Sequence, residues 1–168
     1  MKRAVYAGTF DPVTFGHLSV IERAAELFDR LEVVIAENPV KTPCFSLEQR
    51  LVFLRDAVRS LANVDVFHTS GFVVQYAQQR GARFLVRGVR GATDADYEAE
   101  LAAINRKLAP EIQTVFLPAH AELSKLSSSA LKALAARGED ISSYTTALVA
   151  SALRALSEET KGTQHVGI

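Results

Sequence analysis

The chain predicts a doubly wound α/β domain on a five-stranded, mainly parallel sheet. Three observations carry that expectation. Short apolar runs alternate with stretches of helical periodicity along the 168 residues. The apolar runs are hydrophobic at most positions, as strands covered on both faces must be. No internal repeat, low-complexity tract or linker divides the chain. One domain over residues 1–157 is therefore expected, with 158–168 a polar tail frayed at the terminus.

The elements follow in order. Ala4-Val5-Tyr6-Ala7 reads as the first strand. Thr14 is a plausible N-cap for a helix whose apolar face carries Leu18, Ile21, Ala25 and Phe28. Leu31 to Ala36 is the second strand, closed by a loop in which Pro39 and Pro43 exclude helix. Ser46 and Gln49 form a capping box for an amphipathic helix with Leu47, Leu51, Leu54, Val58 and Leu61. Val64 to Phe67 is the third strand. A helix from about Gly71 to Arg80 should turn Phe72, Val73, Tyr76 and Ala77 inward. Arg83 to Val86 is the fourth strand, and the helix after Gly91 should bury Tyr97, Leu101, Ile104 and Leu108. Gln113 to Leu117 is the fifth strand. Ser127 opens a helix through Ala136, closed at Gly138, and a last helix spans roughly Thr145 to Leu156.

Composition narrows the function classes. Lys plus Arg equal Asp plus Glu at 19 each, which argues against broad electrostatic binding to nucleic acid. Cys44 is the only cysteine, so no intrachain disulfide can form, in keeping with a reducing compartment. No apolar stretch approaches the ~20 residues of a membrane helix. The first apolar run is short and leads into Gly8 and Asp11, unlike a signal peptide. A cytoplasmic protein is expected.

The most informative stretch is the first loop, Gly8-Thr9-Phe10-Asp11-Pro12-Val13-Thr14-Phe15-Gly16-His17. It joins a buried strand to a helix start, where unpaired N–H groups and the helix dipole favour phosphate. Gly8 lets the backbone leave the strand, Gly16 permits a close approach at the helix start, and Asp11-Pro12 reads as a turn. In a parallel sheet the loops at the carboxyl ends converge at one edge. Those loops bring Thr9 and His17, Lys41, Arg87 and Arg90, and Ser127 to Ser129. Cations, an imidazole and hydroxyls around a helix N-terminus describe a polyphosphate site. No covalent nucleophile with its own base stands out, which favours direct transfer between two oriented substrates.

The first-loop motif, Arg87-Gly-x-Arg90 after strand four and Leu126-Ser-Ser-Ser129 after strand five together resemble the bacterial phosphopantetheine adenylyltransferases, over about Lys2 to Leu156. The first motif alone marks the wider nucleotidylyltransferase superfamily. The resemblance implies a Rossmann-like domain that makes dephospho-coenzyme A and pyrophosphate from ATP and 4′-phosphopantetheine, uses Mg²⁺ with ATP, and assembles as a homohexamer. By matching position, His17 is the transition-state stabiliser, aided by Lys41 and Arg90. Thr9 lies between the substrates, Lys41 and Arg87 bind the phosphopantetheine phosphate, and Val73 lines the pantetheine channel. Thr9, Phe10, His17, Gly88, Val89, Arg90, Glu98, Leu123, Ser124, Lys125, Leu126, Ser127, Ser128 and Ser129 match ATP-binding positions. Phe15 stands where Asn is frequent, Leu123 and Lys125 where aromatics are often found, and Lys132 where many superfamily members carry Arg.

On this reading a phosphate oxygen of the acceptor attacks the α-phosphorus without a general base. Mg²⁺ would keep most of its waters, with no protein cage of its own. Asp94 and Asp96 read as helix-dipole partners. His68, His120 and His165 lack motif context, and Cys44 reads as a small hydrophobe. The alternatives are a nucleotidylyltransferase for nicotinate mononucleotide or glycerol 3-phosphate, and a non-catalytic nucleotide-binding module.

Overall fold

A computed structural model of the chain describes residues 1–37, 39, 40, 42–123 and 126–163. Five strands, β1 (Arg3–Gly8), β2 (Arg30–Ala36), β3 (Val64–Thr69), β4 (Phe84–Val89) and β5 (Gln113–Pro118), form one sheet in the order β3-β2-β1-β4-β5. Every pairing is parallel, so the sheet is wholly rather than mainly parallel. The helices are α1 (Phe15–Leu27), α2 (Leu47–Val58), α3 (Val73–Gln79), α4 (Ala92–Leu108), α5 (Ser128–Ala136) and α6 (Ala147–Thr163), with a 3₁₀ turn at Ala121–Leu123.

Alternation along β1 divides the core. Ala4 and Tyr6 face a cluster formed with α1, α2, α5 and α6, including Ile21, Leu54, Leu131 and Leu153. Val5 and Ala7 face the other side, with Val74, Ala77, Leu85 and Ile112. Such period-two alternation in a strand buried on both faces is why β1 reads as continuously apolar. The chain winds outward from β1 to β3, crosses back, and continues through β4 and β5. The order therefore reverses between β1 and β4, the place where doubly wound sheets bind ligands.

Several sequence expectations are corrected. The inward face of α4 is not Tyr97, Ile104 and Leu108, which are 60%, 54% and 61% exposed. Glu98 is buried instead, with Leu101, Ala102 and Asn105 beside it along one cavity. That face follows helical spacing one position out of phase with the apolar residues, because it lines a cavity rather than the core. Phe72 is likewise exposed, and Val74 takes the buried place on α3. Cys44 is exposed rather than packed. β4 runs on through Arg87 to Val89, so Arg87 projects from a strand and not from a loop. Helix α6 starts two residues later than expected and continues to Thr163, beyond Leu156. Both expected caps of α2 and α5 are present, at Ser46 with Gln49 and at Ser127, and Gly138 closes α5 at φ 76°.

Candidate active site

The first loop is held in place from several directions. Arg50 of α2, only 4% exposed, donates through Nη1 to the Thr9 carbonyl at 3.0 Å and through Nε to the Phe45 carbonyl at 3.1 Å. The buried Asp11 carboxylate accepts from the backbone N–H of Cys44 and Phe45 at 2.8 and 2.9 Å, and from Lys132 Nζ at 3.3 Å. Ser128 Oγ donates to the Pro12 carbonyl and Thr145 Oγ1 to the Val13 carbonyl, each at 2.8 Å. The Phe15 N–H meets the Tyr144 carbonyl, also at 2.8 Å. These anchors come from α2 and the residues just before it, from α5, and from the α5–α6 connection. They over-determine a loop in which Phe10 sits at φ 45°, a conformation that costs energy for a residue with a side chain.

That backbone lays the Phe10 ring back over Gly8. A Cβ at Gly8 would meet the ring at 3.1 Å, so glycine here serves packing more than turning. Phe10 then stacks edge-on to both Tyr6 and His17, at 5.5 and 5.1 Å between centroids. Gly16 also permits a close approach, but the approaching group is the chain itself. The carbonyls of Leu126 and Leu123 lie 3.3 and 3.4 Å from where its Cβ would stand.

His17 occupies the third position of α1 and closes a reciprocal cap with Thr14. Its N–H donates to Thr14 Oγ1 at 3.3 Å, while its Nδ1 accepts the Thr14 backbone N–H at 3.1 Å. An accepting Nδ1 carries no proton, so the ring proton of the neutral imidazole resides on Nε2. Burial, assisted by the charge of Arg90, pushes the His17 pKa down to about 4. The result is a neutral donor with a fixed tautomer, lining the cleft.

Two cavities flank this loop. The first, about 370 Å³, lies over the β1–β4 switch point. Thr9, Phe10, His17, Arg87, Gly88, Arg90, Glu98 and Leu126 to Ser129 all line it, although they span 120 positions of the chain. The second, about 630 Å³, lies beside it and is bordered by Thr9, Arg50, Ser128, Ser129 and Lys132. Thr9, Ser128 and Ser129 border both. A third space of about 210 Å³ lies on the opposite face of the sheet, walled by Val5, Val73, Leu85, Leu101, Ala102 and Asn105. Arg87 and Glu98 belong to its wall and to that of the switch-point cleft.

Arg87 and Glu98 are paired with each other. Arg87 Nε and Nη2 reach the two oxygens of Glu98 at 2.6 and 2.7 Å, a bidentate fork. Burial opposes the Arg87 charge, but the bonds to Glu98 outweigh it and raise the arginine pKa. Arg90 is exposed and bonds Asp94 through Nε at 3.1 Å. Asp94, expected only as a dipole partner, therefore also steers a cleft cation. Val89 and Leu123 stand outside the residues lining these cavities. Lys41, Ser124, Lys125 and His165 lie outside the described residues.

Tyr6, Arg50, Asn105 and Thr145 carry no site signal in the sequence, and Asp11, legible there as part of a turn, is not legible as the anchor of the loop. Tyr6 reads as one apolar member of the first strand, Arg50 falls off the apolar stripe of its helix and carries no motif, and only the fold turns both toward a cavity. No group of three or more His, Cys, Asp or Glu side chains is placed to hold a metal ion among the described residues. Nor, among them, is any helix long and apolar enough to cross a membrane.

Comparison with known proteins gives the family. The cytidylyltransferase-like family matches residues 5–134. A phosphopantetheine adenylyltransferase from Desulforudis audaxviator (strain MP104C) is 49% identical over 138 residues, which is 82% of this chain and 85% of that protein. One from Alkaliphilus metalliredigens (strain QYMF) is 39% identical over 153 residues, 91% of this chain and 98% of that one. The crystal structure of a Vibrio parahaemolyticus protein, provisionally named a nicotinate-nucleotide adenylyltransferase, superposes with a TM-score of 0.67 at 20% identity, covering 91% of this chain and 99% of that one. This last likeness speaks for the fold alone. With a family match across most of the domain and relatives this similar over most of their length, the chain belongs to the phosphopantetheine adenylyltransferases, nucleotidyltransferases of the cytidylyltransferase-like family.

Proposed function

We propose that this protein transfers the adenylyl group of ATP to 4′-phosphopantetheine, giving dephospho-coenzyme A and pyrophosphate, in the cytoplasm. One observation carries the choice of acceptor. Arg87 and Glu98 wall both the polar switch-point cleft and the narrower, more apolar space containing Val73, Leu101 and Asn105. A ligand with a phosphate at one end and an extended aliphatic-amide arm matches that pair of spaces.

In the reaction, an acceptor phosphate oxygen attacks the α-phosphorus of ATP. The new P–O bond forms as the bond to the bridging oxygen breaks, and pyrophosphate leaves with the electron pair. No proton need be removed from the nucleophile, so no base is required. His17 Nε2–H donates to an α-phosphate oxygen as charge shifts, a contribution on the order of 10²–10³ in rate. Thr9 sits between the substrates, bordering both cavities at the loop. Arg90, with Lys41, offsets the repulsion between two anions. Arg87 and Lys41 take the acceptor phosphate and Val73 borders its arm. Phe10, Gly88, Glu98 and Leu126 to Ser129 border the cleft that takes the nucleotide, and Val89, Leu123, Ser124 and Lys125 are assigned to it by their matching position in the family alone. The α5 N-terminus, capped by Ser127, adds N–H groups suited to phosphate.

Mg²⁺ would neutralise triphosphate charge when bound with ATP. The carboxylates bordering the two cavities are already engaged, Glu98 by Arg87, Asp94 by Arg90, Asp11 by two N–H groups and Lys132, and Glu37 by His68. Phosphate oxygens and water are therefore the ligands that fit the ion. The exposed Tyr97, Ile104 and Leu108 of α4, with Phe116 on the edge strand β5, support packing against further copies of the chain, in a homohexamer.

The test is pyrophosphate release from ATP and Mg²⁺ with 4′-phosphopantetheine, run beside nicotinate mononucleotide and glycerol 3-phosphate, each also with CTP. Release with phosphopantetheine and ATP alone is expected. Release only with another acceptor overturns the choice of substrate, and silence with every pair overturns the enzymatic reading.

A further inference from the structure

The Tyr6 side chain is 7% exposed, borders the switch-point cleft, and makes no hydrogen bond through its hydroxyl among the described residues. Its ring is accounted for by packing. It faces the α1 side of the sheet, edge-on to Phe10, within the larger core cluster. A phenylalanine would supply those contacts equally well. The hydroxyl is what packing leaves unexplained: among the described residues no side-chain polar atom is sealed from solvent without a partner, so this oxygen opens into the cleft, where water or a ligand meets it.

Its position says what could. The oxygen lies 3.4 Å from where a side chain on Gly88 would begin, and Val20 fills the other side of that point at 3.2 Å. Gly88 sits between Arg87 and Arg90, and both guanidiniums act electrostatically on the phenol. An oxygen that approaches Tyr6 therefore enters a corner lined by two guanidiniums, each shared with a carboxylate (Glu98 for Arg87, Asp94 for Arg90), where a charged acceptor strengthens the hydrogen bond it receives.

We propose that Tyr6 is a further substrate-binding residue of this cleft, its hydroxyl donating a hydrogen bond to a phosphoryl oxygen held beside Arg87 and Arg90. Burial pushes the phenol up to about 12 against the opposing pull of Arg87 and Arg90, so the proton stays in place at any working pH. Tyr6 acts as a fixed donor and not as an acid. The glycine at 88 belongs to the same arrangement, because a Cβ there would lie in van der Waals contact with the hydroxyl and occupy the place of an approaching ligand atom.

The inference rests on the adenylyl-transfer reading for its substrates, and the experiment separates the two. Tyr6→Phe removes one oxygen and keeps the ring. We expect its melting temperature to match the parent within about 2 °C, because no intramolecular bond is lost. Its kcat/KM should fall about 10- to 100-fold, the scale of a hydrogen bond to a charged group. Calorimetric titration with Mg·ATP and, separately, with 4′-phosphopantetheine assigns the oxygen to whichever ligand loses affinity. If kcat/KM and both affinities stay within twofold of the parent, the donor role is wrong and the transferase reading stands. If the melting temperature falls while both affinities drop together, the hydroxyl is structural and the proposal is also wrong. If the parent protein neither binds nor turns over 4′-phosphopantetheine but Tyr6→Phe still weakens Mg·ATP, the acceptor reading fails and the donor role survives. If the parent binds neither ligand, both fall.

Discussion

At His17, the helix cap and the proposed catalytic donor are the same side chain. The bond that Thr14 N–H makes to Nδ1 fixes which nitrogen faces the cleft, and burial keeps the ring neutral. This has a consequence for stability. Between pH 6.5 and about 4 the unfolded chain binds a proton at this position that the folded chain refuses. The associated stabilisation is fully present above 6.5 and is lost as pH falls through 4. Denaturant melts of the parent should therefore weaken across that window more steeply than those of His17→Gln. Equal slopes would show that residue 17 titrates normally in the fold. The first-loop motif drew attention to His17 in the sequence, but the tautomer could not be read there. It depends on a backbone N–H three residues away being aimed at one ring nitrogen.

At the scale of elements, the β1–α1 loop depends on partners far away in the chain. Asp11 ties it to Cys44 and Phe45, and through Lys132 to α5. Removing that carboxylate strands two N–H donors and a cation. Asp11→Ala should cost about 2–4 kcal/mol of stability by urea melts, and a cost under about 0.5 kcal/mol would mean the loop holds itself. Strand and helix identities were largely legible, because apolar runs and capping boxes are local signals. The inward face of α4 was not. Tyr97, Ile104 and Leu108 have the apolar pattern of a core stripe, whereas the face toward the sheet carries Glu98 and Asn105 around a cavity. Arg87 and Glu98 were legible as site residues but not as a pair, since an i to i+11 contact from strand to helix leaves no periodic trace. Val73→Asp places a charge in the wall of the apolar space. It should raise the KM for 4′-phosphopantetheine at least tenfold with ATP affinity unchanged, and equal losses for both ligands would remove Val73 from the acceptor side.

For the whole molecule, strand order explains why residues from four separate segments meet. A wholly parallel sheet puts every strand's carboxyl end at one edge, and reversal between β1 and β4 opens a crevice there. Glycine, hydroxyl and cationic residues placed after different strands then border one space. The same topology leaves β5 at an edge, with α4 beside it through Ala102, Ala103 and Arg106, and Tyr97, Ile104 and Leu108 of that helix are exposed. For the homohexamer proposed above, replacing Ile104 and Leu108 together by Asp should give smaller species in sedimentation velocity while preserving circular dichroism. An unchanged sedimentation coefficient would place the subunit contact elsewhere.

Adenylyl transfer to 4′-phosphopantetheine with a neutral His17 donor is tested most directly by single-turnover formation of dephospho-coenzyme A. Parent protein and His17→Ala would be followed side by side, each with its ATP affinity measured by calorimetry. The parent should form dephospho-coenzyme A and pyrophosphate in equal amounts. His17→Ala should slow that step by about 10²–10³ with ATP affinity within a few-fold. No dephospho-coenzyme A from the parent, or a His17→Ala defect confined to ATP binding, would contradict it.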